Sequence, residues 1–239
     1  MKQNVSSTRS KISIDLFSIQ MKWSSWFIAI VFAIYLIVHG FVEKLDENFI
    51  SFIFRSSKIY MLIIGIVSCF AFLTYFVKNG ITRKDYYTGS VIAATLVGFS
   101  IMLIATIITS VLTLIETYTT ISFGSAYIHF VEQNSSWLLS FVTFSLIIIS
   151  YYVAGWIIAL GFYRFGGWGG FGSILIAILY MSLTDLLWEG DLSHPLAALL
   201  KISKPTMSLP SSILGTLLLL GLGLFIIRKI TKRIPIKLE

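Results

Sequence analysis

Six apolar runs dominate this chain and leave few folds open to it. They cover residues 26–42, 58–77, 91–113, 137–162, 171–188 and 211–227, and hold almost no charged side chains. About 20 consecutive apolar residues cross the hydrocarbon core of a bilayer as a helix. The expected fold is therefore an all-α polytopic membrane protein with six transmembrane helices. Only 12% of the residues are charged and 56% are hydrophobic, against about 25% charged in a typical soluble domain; the mean hydropathy is +0.88. Little remains for a soluble domain, so residues 1–239 read as a single membrane domain. The net charge of +7 is not a nucleic-acid signal, because the cations gather at the chain ends and in one turn, as they do beside an anionic leaflet. Cys69 is the sole cysteine, which excludes an intramolecular disulfide and argues against a Cys-based metal site. The first 25 residues are polar and the run after them lacks a small-residue cleavage site, so no signal peptide is expected.

The polar, cation-bearing turn at residues 78–90 interrupts the oily first half. Asn79-Gly80 is a helix-stop signal, since Gly takes the left-handed conformation without steric cost. Thr82 can cap a new helix, and Asp85, three residues on, can reach back to the free amides. A helix should end here and a short one begin, with Thr82, Arg83, Lys84 and Asp85 exposed. An ordinary basic connector is the plainer reading of the same residues.

Elsewhere, Ile12, Leu16, Ile19 and Trp23 share one helical face with Lys11, Asp15, Ser18 and Lys22 off it. Residues 1–25 are thus expected to form a cytoplasmic arm with a helix lying in the interface, the alternative being a frayed tail. Residues 43–57 read as a mixed-charge loop whose Phe49–Phe54 stretch could dip into the interface. Residues 114–136 have no Lys or Arg. Their Glu116, His129 and Glu132 match no compact metal motif and read as loop residues, and His39 reads as an interfacial residue. The glycine-rich stretch around Arg164 lacks the Gly-Lys-Ser/Thr of a phosphate-binding loop and is expected to make a tight turn. Asp185, near the outer end of the fifth span, either contacts substrate or snorkels to the interface. A short outer helix is expected over residues 195–202, between Pro195 and Pro205.

Six spans put both ends on one side. Lys2, Arg9, Lys11 and Lys22, then Lys78, Arg83 and Lys84, then Arg164, then Arg228, Lys229, Lys232, Arg233 and Lys237 fall on that side. Only Lys44, Arg55, Lys58, Lys201 and Lys204 fall opposite. The positive-inside rule places both termini and the 78–90 turn in the cytoplasm, with residues 228–239 as a basic cytoplasmic tail. The abundance of Ile, Lys, Phe and Tyr suits an AT-rich bacterial genome and hence a bacterial cell membrane.

No zinc, serine-hydrolase or nucleotide motif occurs, so an enzyme has no positive support. Gradient-driven carriers usually place ionisable groups at mid-membrane, and these spans read as nearly free of them. A separate motor would need a rigid cytoplasmic handle joined to two spans, which the capped turn supplies. The run from Gly80 through Ile81, Thr82, Arg83, Lys84, Asp85, Tyr86 and Tyr87 to Gly89 resembles the turn of small Firmicutes-type permeases. Tyr163, Arg164, Phe165 and Gly166 resemble the ending of their fourth span. By these marks the chain resembles the membrane subunits of type-2 ABC exporters. The resemblance implies an elbow helix at residues 9–25, an ATPase-docking coupling helix at 80–89 and an outer-mouth helix at 195–202. Coupling contacts would come from Gly80, Thr82, Arg83, Lys84, Asp85 and Tyr86, with Asp185 in the substrate path. It also implies a separate ATPase that holds ATP and Mg, no cofactor on this chain, and a second permease subunit, identical or a sister, in the bilayer. The single short outer helix departs from the extended hairpin of that class. The cargo would be an amphipathic or lipophilic compound such as an antimicrobial peptide. An immunity or sensor protein acting without an ATPase is the alternative.

Overall fold

The computed structural model describes residues 5–41, 47–119, 123–124, 137–188 and 208–232. These are almost entirely helical, with no extended strand among them. Five helices are long and apolar enough to cross a membrane: α1 (Val5–Phe41), α2 (Phe49–Lys78), α3 (Arg83–Tyr118), α4 (Trp137–Leu187) and α5 (Leu209–Thr231). The expected helix at 195–202 lies outside the described residues, as do His129 and Glu132.

Three boundaries differ from the sequence expectation. The arm and the first span are one continuous helix of 37 residues, with no break near residue 25. At about 1.5 Å per residue it is roughly 55 Å long, well beyond a hydrocarbon core of about 30 Å. The first half of its amphipathic stripe is covered by protein: Ile12 and Leu16 are 3% and 0% exposed, whereas Trp23 is 40% exposed, and a Cβ on Gly89 of α3 would press into Ile12. Lys11, Asp15, Ser18 and Lys22 stay exposed, as expected.

Residues 49–57 are helix rather than loop. Asn48 starts α2 by accepting the Ser51 amide with its side chain at 3.1 Å, satisfying one of the free first-turn donors. Phe49, Ile50, Ile53 and Phe54 then fall on one buried helical stripe. Within α2, residues Ser68–Leu73 form a π-helical turn, and α-helix resumes over Thr74–Lys78.

The glycine-rich turn shrinks to a single residue. Gly166 alone is non-helical within α4, at φ 69° and ψ −159°, a region open essentially only to Gly. The chain folds back there: the Ser173 hydroxyl donates to the Ile158 carbonyl at 3.1 Å, so the two arms of α4, which are the expected fourth and fifth spans, lie side by side. The first arm is the central element. Phe144, Tyr152 and Trp156 on it are at most 1% exposed, and it is apolar nearly all round, as a helix buried on every face must be. α2 crosses it at Gly65 and Gly155, where an added Cβ would collide with the Tyr152 and Leu62 carbonyls respectively. Only glycine permits backbones so close. α5 closes on the second arm, where the Trp188 indole donates to the Thr216 hydroxyl at 2.8 Å.

Candidate functional site

The turn between α2 and α3 is built as its sequence signals. Gly80 has φ 81°. The Ile81 amide bonds back to the Phe76 carbonyl at 3.0 Å and the Gly80 amide to Val77 at 3.1 Å. This paired pattern satisfies the last carbonyls of a helix ending in a left-handed glycine. Thr82 then caps α3, its hydroxyl oxygen accepting the Asp85 amide at 3.1 Å. Helix α3 runs on without interruption from Arg83, so the expected short helix is the first stretch of a 36-residue one.

Three consecutive residues tie this turn to three other helices. Asp85 is 8% exposed, which corrects the expectation of an exposed carboxylate. One of its oxygens accepts the Arg9 guanidinium of α1 at 2.6 Å, and the other accepts the Thr82 hydroxyl at 2.6 Å. It is therefore a latch and not a second amide cap. Tyr86 is fully buried and donates to the Ser68 carbonyl of α2 at 2.6 Å. Tyr87 donates to the Leu224 carbonyl of α5 at 3.0 Å and lies 5.8 Å from the Trp156 ring of α4. Of the six residues expected to carry coupling contacts, Asp85 and Tyr86 thus face inward. Gly80, Thr82 and Lys84 are exposed and Arg83 is partly so.

Below the turn sits a buried polar knot at the π-helical turn of α2. The Ser68 hydroxyl receives Tyr152 at 2.7 Å and the Gln20 amide at 3.0 Å, joining α1, α2 and α4. A π turn adds a residue to one helical cycle and commonly occurs where a helix is re-aimed at a functional place. Sequence reasoning misses Arg9, Gln20, Ser68 and Tyr152, because the partners are 48 or more positions apart along the chain and no local spacing links them.

Asp185 is 3% exposed on its side chain and paired with Lys58 of α2 at 3.1 Å, so it is covered by protein and does not reach out to solvent. The Tyr151 hydroxyl donates to it at 2.7 Å. Lys58, counted among loop cations by its sequence position, lies inside α2 with its ammonium 5.1 Å from the Phe54 ring centroid and 5.4 Å from that of Tyr151. This ion pair links α2 to α4, as Arg9–Asp85 links α1 to α3. Glu116 falls in the last turn of α3 and accepts the Phe123 amide, while His39 stacks on Tyr35 and Phe123. No group of three His, Cys, Asp or Glu side chains able to hold a metal gathers among the described residues.

Comparison with protein-family models, with curated proteins and with solved structures yields no match to this chain.

Proposed function

We propose that the chain is the permease subunit of an ABC exporter, with the 79–85 turn as the handle moved by a separate ATPase. The observation that carries this is the grip of Asp85, Tyr86 and Tyr87 on α1, α2 and α5. A force applied at Arg83 and Lys84 is transmitted to α1, α2 and α5, because each tie is a buried or partly buried hydrogen bond that resists displacement. A plain connector needs no such ties.

In this reading the fold-back at Gly166 makes six crossings from five helices, with both termini and the handle in the cytoplasm of a bacterial cell. The arm reaches the handle as the first stretch of α1, through Arg9, and not as a separate elbow. The exposed apolar faces of α1, α3 and α5, with Ile30, Ile37, Leu103 and Leu218 among them, meet lipid or a second permease subunit. ATP and Mg reside on the partner, and the cargo is amphipathic or lipophilic.

The test is affinity purification of the tagged chain from its native membrane in mild detergent. A nucleotide-binding subunit should co-purify and be lost with Arg83→Glu/Lys84→Glu, while insertion and thermal stability are kept. Co-purification unaffected by the double variant refutes the handle. No ATPase in several detergents turns the reading toward an immunity or sensor protein.

A further inference from the structure

Where the last turn of α5 meets the fold-back of α4, four cations converge on one cavity. Arg164, Arg228, Lys229 and Lys232 line a space of about 540 Å³ together with Phe225 and Ile230. No carboxylate lies within ion-pair distance of these four among the described residues, whose ion pairs are Arg9–Asp85, Arg55–Glu47 and Lys58–Asp185. A helix C-terminus favours cations in its last turn, which accounts for Arg228 and Lys229. Arg164 comes from another helix and donates to the Ile230 carbonyl in the same last turn at 3.3 Å, so the packing of α4 on α5 adds a cation that α5 alone does not supply. Aromatic faces hold three of these side chains in place: Arg164 lies 4.9 Å from the Phe165 ring centroid, Arg228 5.3 Å from that of Tyr87 and Lys229 5.3 Å from that of Phe225. The cavity is thus a preformed basic site with no counter-charge among the described residues.

What it faces decides the ligand. Leu218, Leu222, Phe225 and Lys229 follow one another at helical spacing on a single face of α5. The three apolar ones are 67%, 55% and 61% exposed. One stripe therefore runs from bare hydrocarbon-facing side chains directly into the cationic cavity. On the fold-back that supplies Arg164, Trp168 is 92% exposed and Phe165 57%, the aromatic exposure typical of headgroup level.

We infer that this cavity binds the phosphate of an anionic phospholipid from the leaflet at this end of α5, its acyl chain lying along Leu218, Leu222 and Phe225. A soluble phosphate satisfies the cations but leaves the apolar stripe unused, and a zwitterionic headgroup brings its own cation into a cavity that holds four. The site is independent of the permease reading.

The experiment uses the full chain in detergent, titrated with phosphatidylglycerol or phosphatidylcholine of identical acyl chains, with bound lipid counted by native mass spectrometry. Phosphatidylglycerol should be preferred. The preference should fall roughly fivefold per neutralised cation in Arg228→Gln/Lys229→Gln, since each cation near an anionic surface contributes about that factor. Lys232→Gln, on an exposed side chain beyond the last turn, should show the single-cation loss even if the double variant fails to fold. Lys11→Gln/Lys22→Gln, an equal loss of charge on exposed positions of α1, should leave the preference intact. Excess inorganic phosphate should not displace the lipid. Equal binding of the two lipids, equal loss in the α1 control, or displacement by inorganic phosphate each overturns the assignment.

Discussion

Removing the cation from the Lys58–Asp185 pair should destabilise the protein more than removing the anion. The two partners are unequally buried, at 23% and 3% side-chain exposure. In Lys58→Gln the Asp185 carboxylate loses its cation in a place water does not reach, and breaking a buried pair this way costs about 3–5 kcal/mol. At roughly 2–4 °C per kcal/mol for a chain of this size, the midpoint should fall by about 10 °C. In Asp185→Asn the Tyr151 hydroxyl keeps an acceptor, and Lys58 keeps two aromatic neighbours and its path to solvent. Its loss should be smaller, on the order of 1–2 kcal/mol. The double variant, with two neutral amides, should be more stable than Lys58→Gln alone. Cys69 supplies the assay, being the sole cysteine and 0% exposed. A thiol-reactive fluorophore reports unfolding without an engineered cysteine. An Asp185→Asn midpoint below that of Lys58→Gln, or strictly additive losses in the double variant, would refute the asymmetry and with it the buried pair.

The same thermal assay distinguishes the glycines. Gly166→Ala should cost about 1–3 kcal/mol because its backbone conformation is open essentially only to Gly, whereas Gly221→Ala, with nothing within 4 Å of the new methyl, should be neutral or gain up to about 1 kcal/mol in helix propensity. Gly155→Ala, whose methyl would strike the Leu62 carbonyl, should yield little monodisperse protein; wild-type behaviour there would contradict the close crossing of α2 and α4. At the turn, Thr82→Ala should cost about 1 kcal/mol of capping and Arg9→Gln should free the latch on Asp85, both seen as faster amide hydrogen exchange at residues 83–86. Unchanged exchange in Arg9→Gln would mean that the arm of α1 does not restrain the turn.

The helical class and the turn were legible in the residues, since both rest on local rules. Long apolar runs cannot leave backbone groups unpaired in lipid and so become helices. Asn79-Gly80 and Thr82 act within a few residues of themselves, and the left-handed Gly80 and the Thr82 cap follow directly. Errors of extent arose where a local signal was over-read. The mixed charges of residues 43–57 suggest a loop, yet Asn48 caps a helix whose apolar stripe finds a buried face. The glycines at 166, 167, 169 and 170 suggest a tight turn lying between two separate spans, and one residue at positive φ within a continuing helix is enough to make it.

By itself, then, the sequence determined that the chain is helical, that its long apolar stretches can cross a membrane, and where one helix stops and the next is capped. Only the tertiary structure decided which charges are spent inside the fold and which face outward. Asp85 and Asp185 carry no local mark that one latches α1 and the other holds Lys58 in α2. Their partners are 76 and 127 positions away, and a carboxylate's role follows from which cation packing brings within about 3 Å, where removal from water makes the pair hard to break. The cavity at the end of α5 likewise exists only because the fold-back at Gly166 delivers Arg164 to a helix it does not belong to.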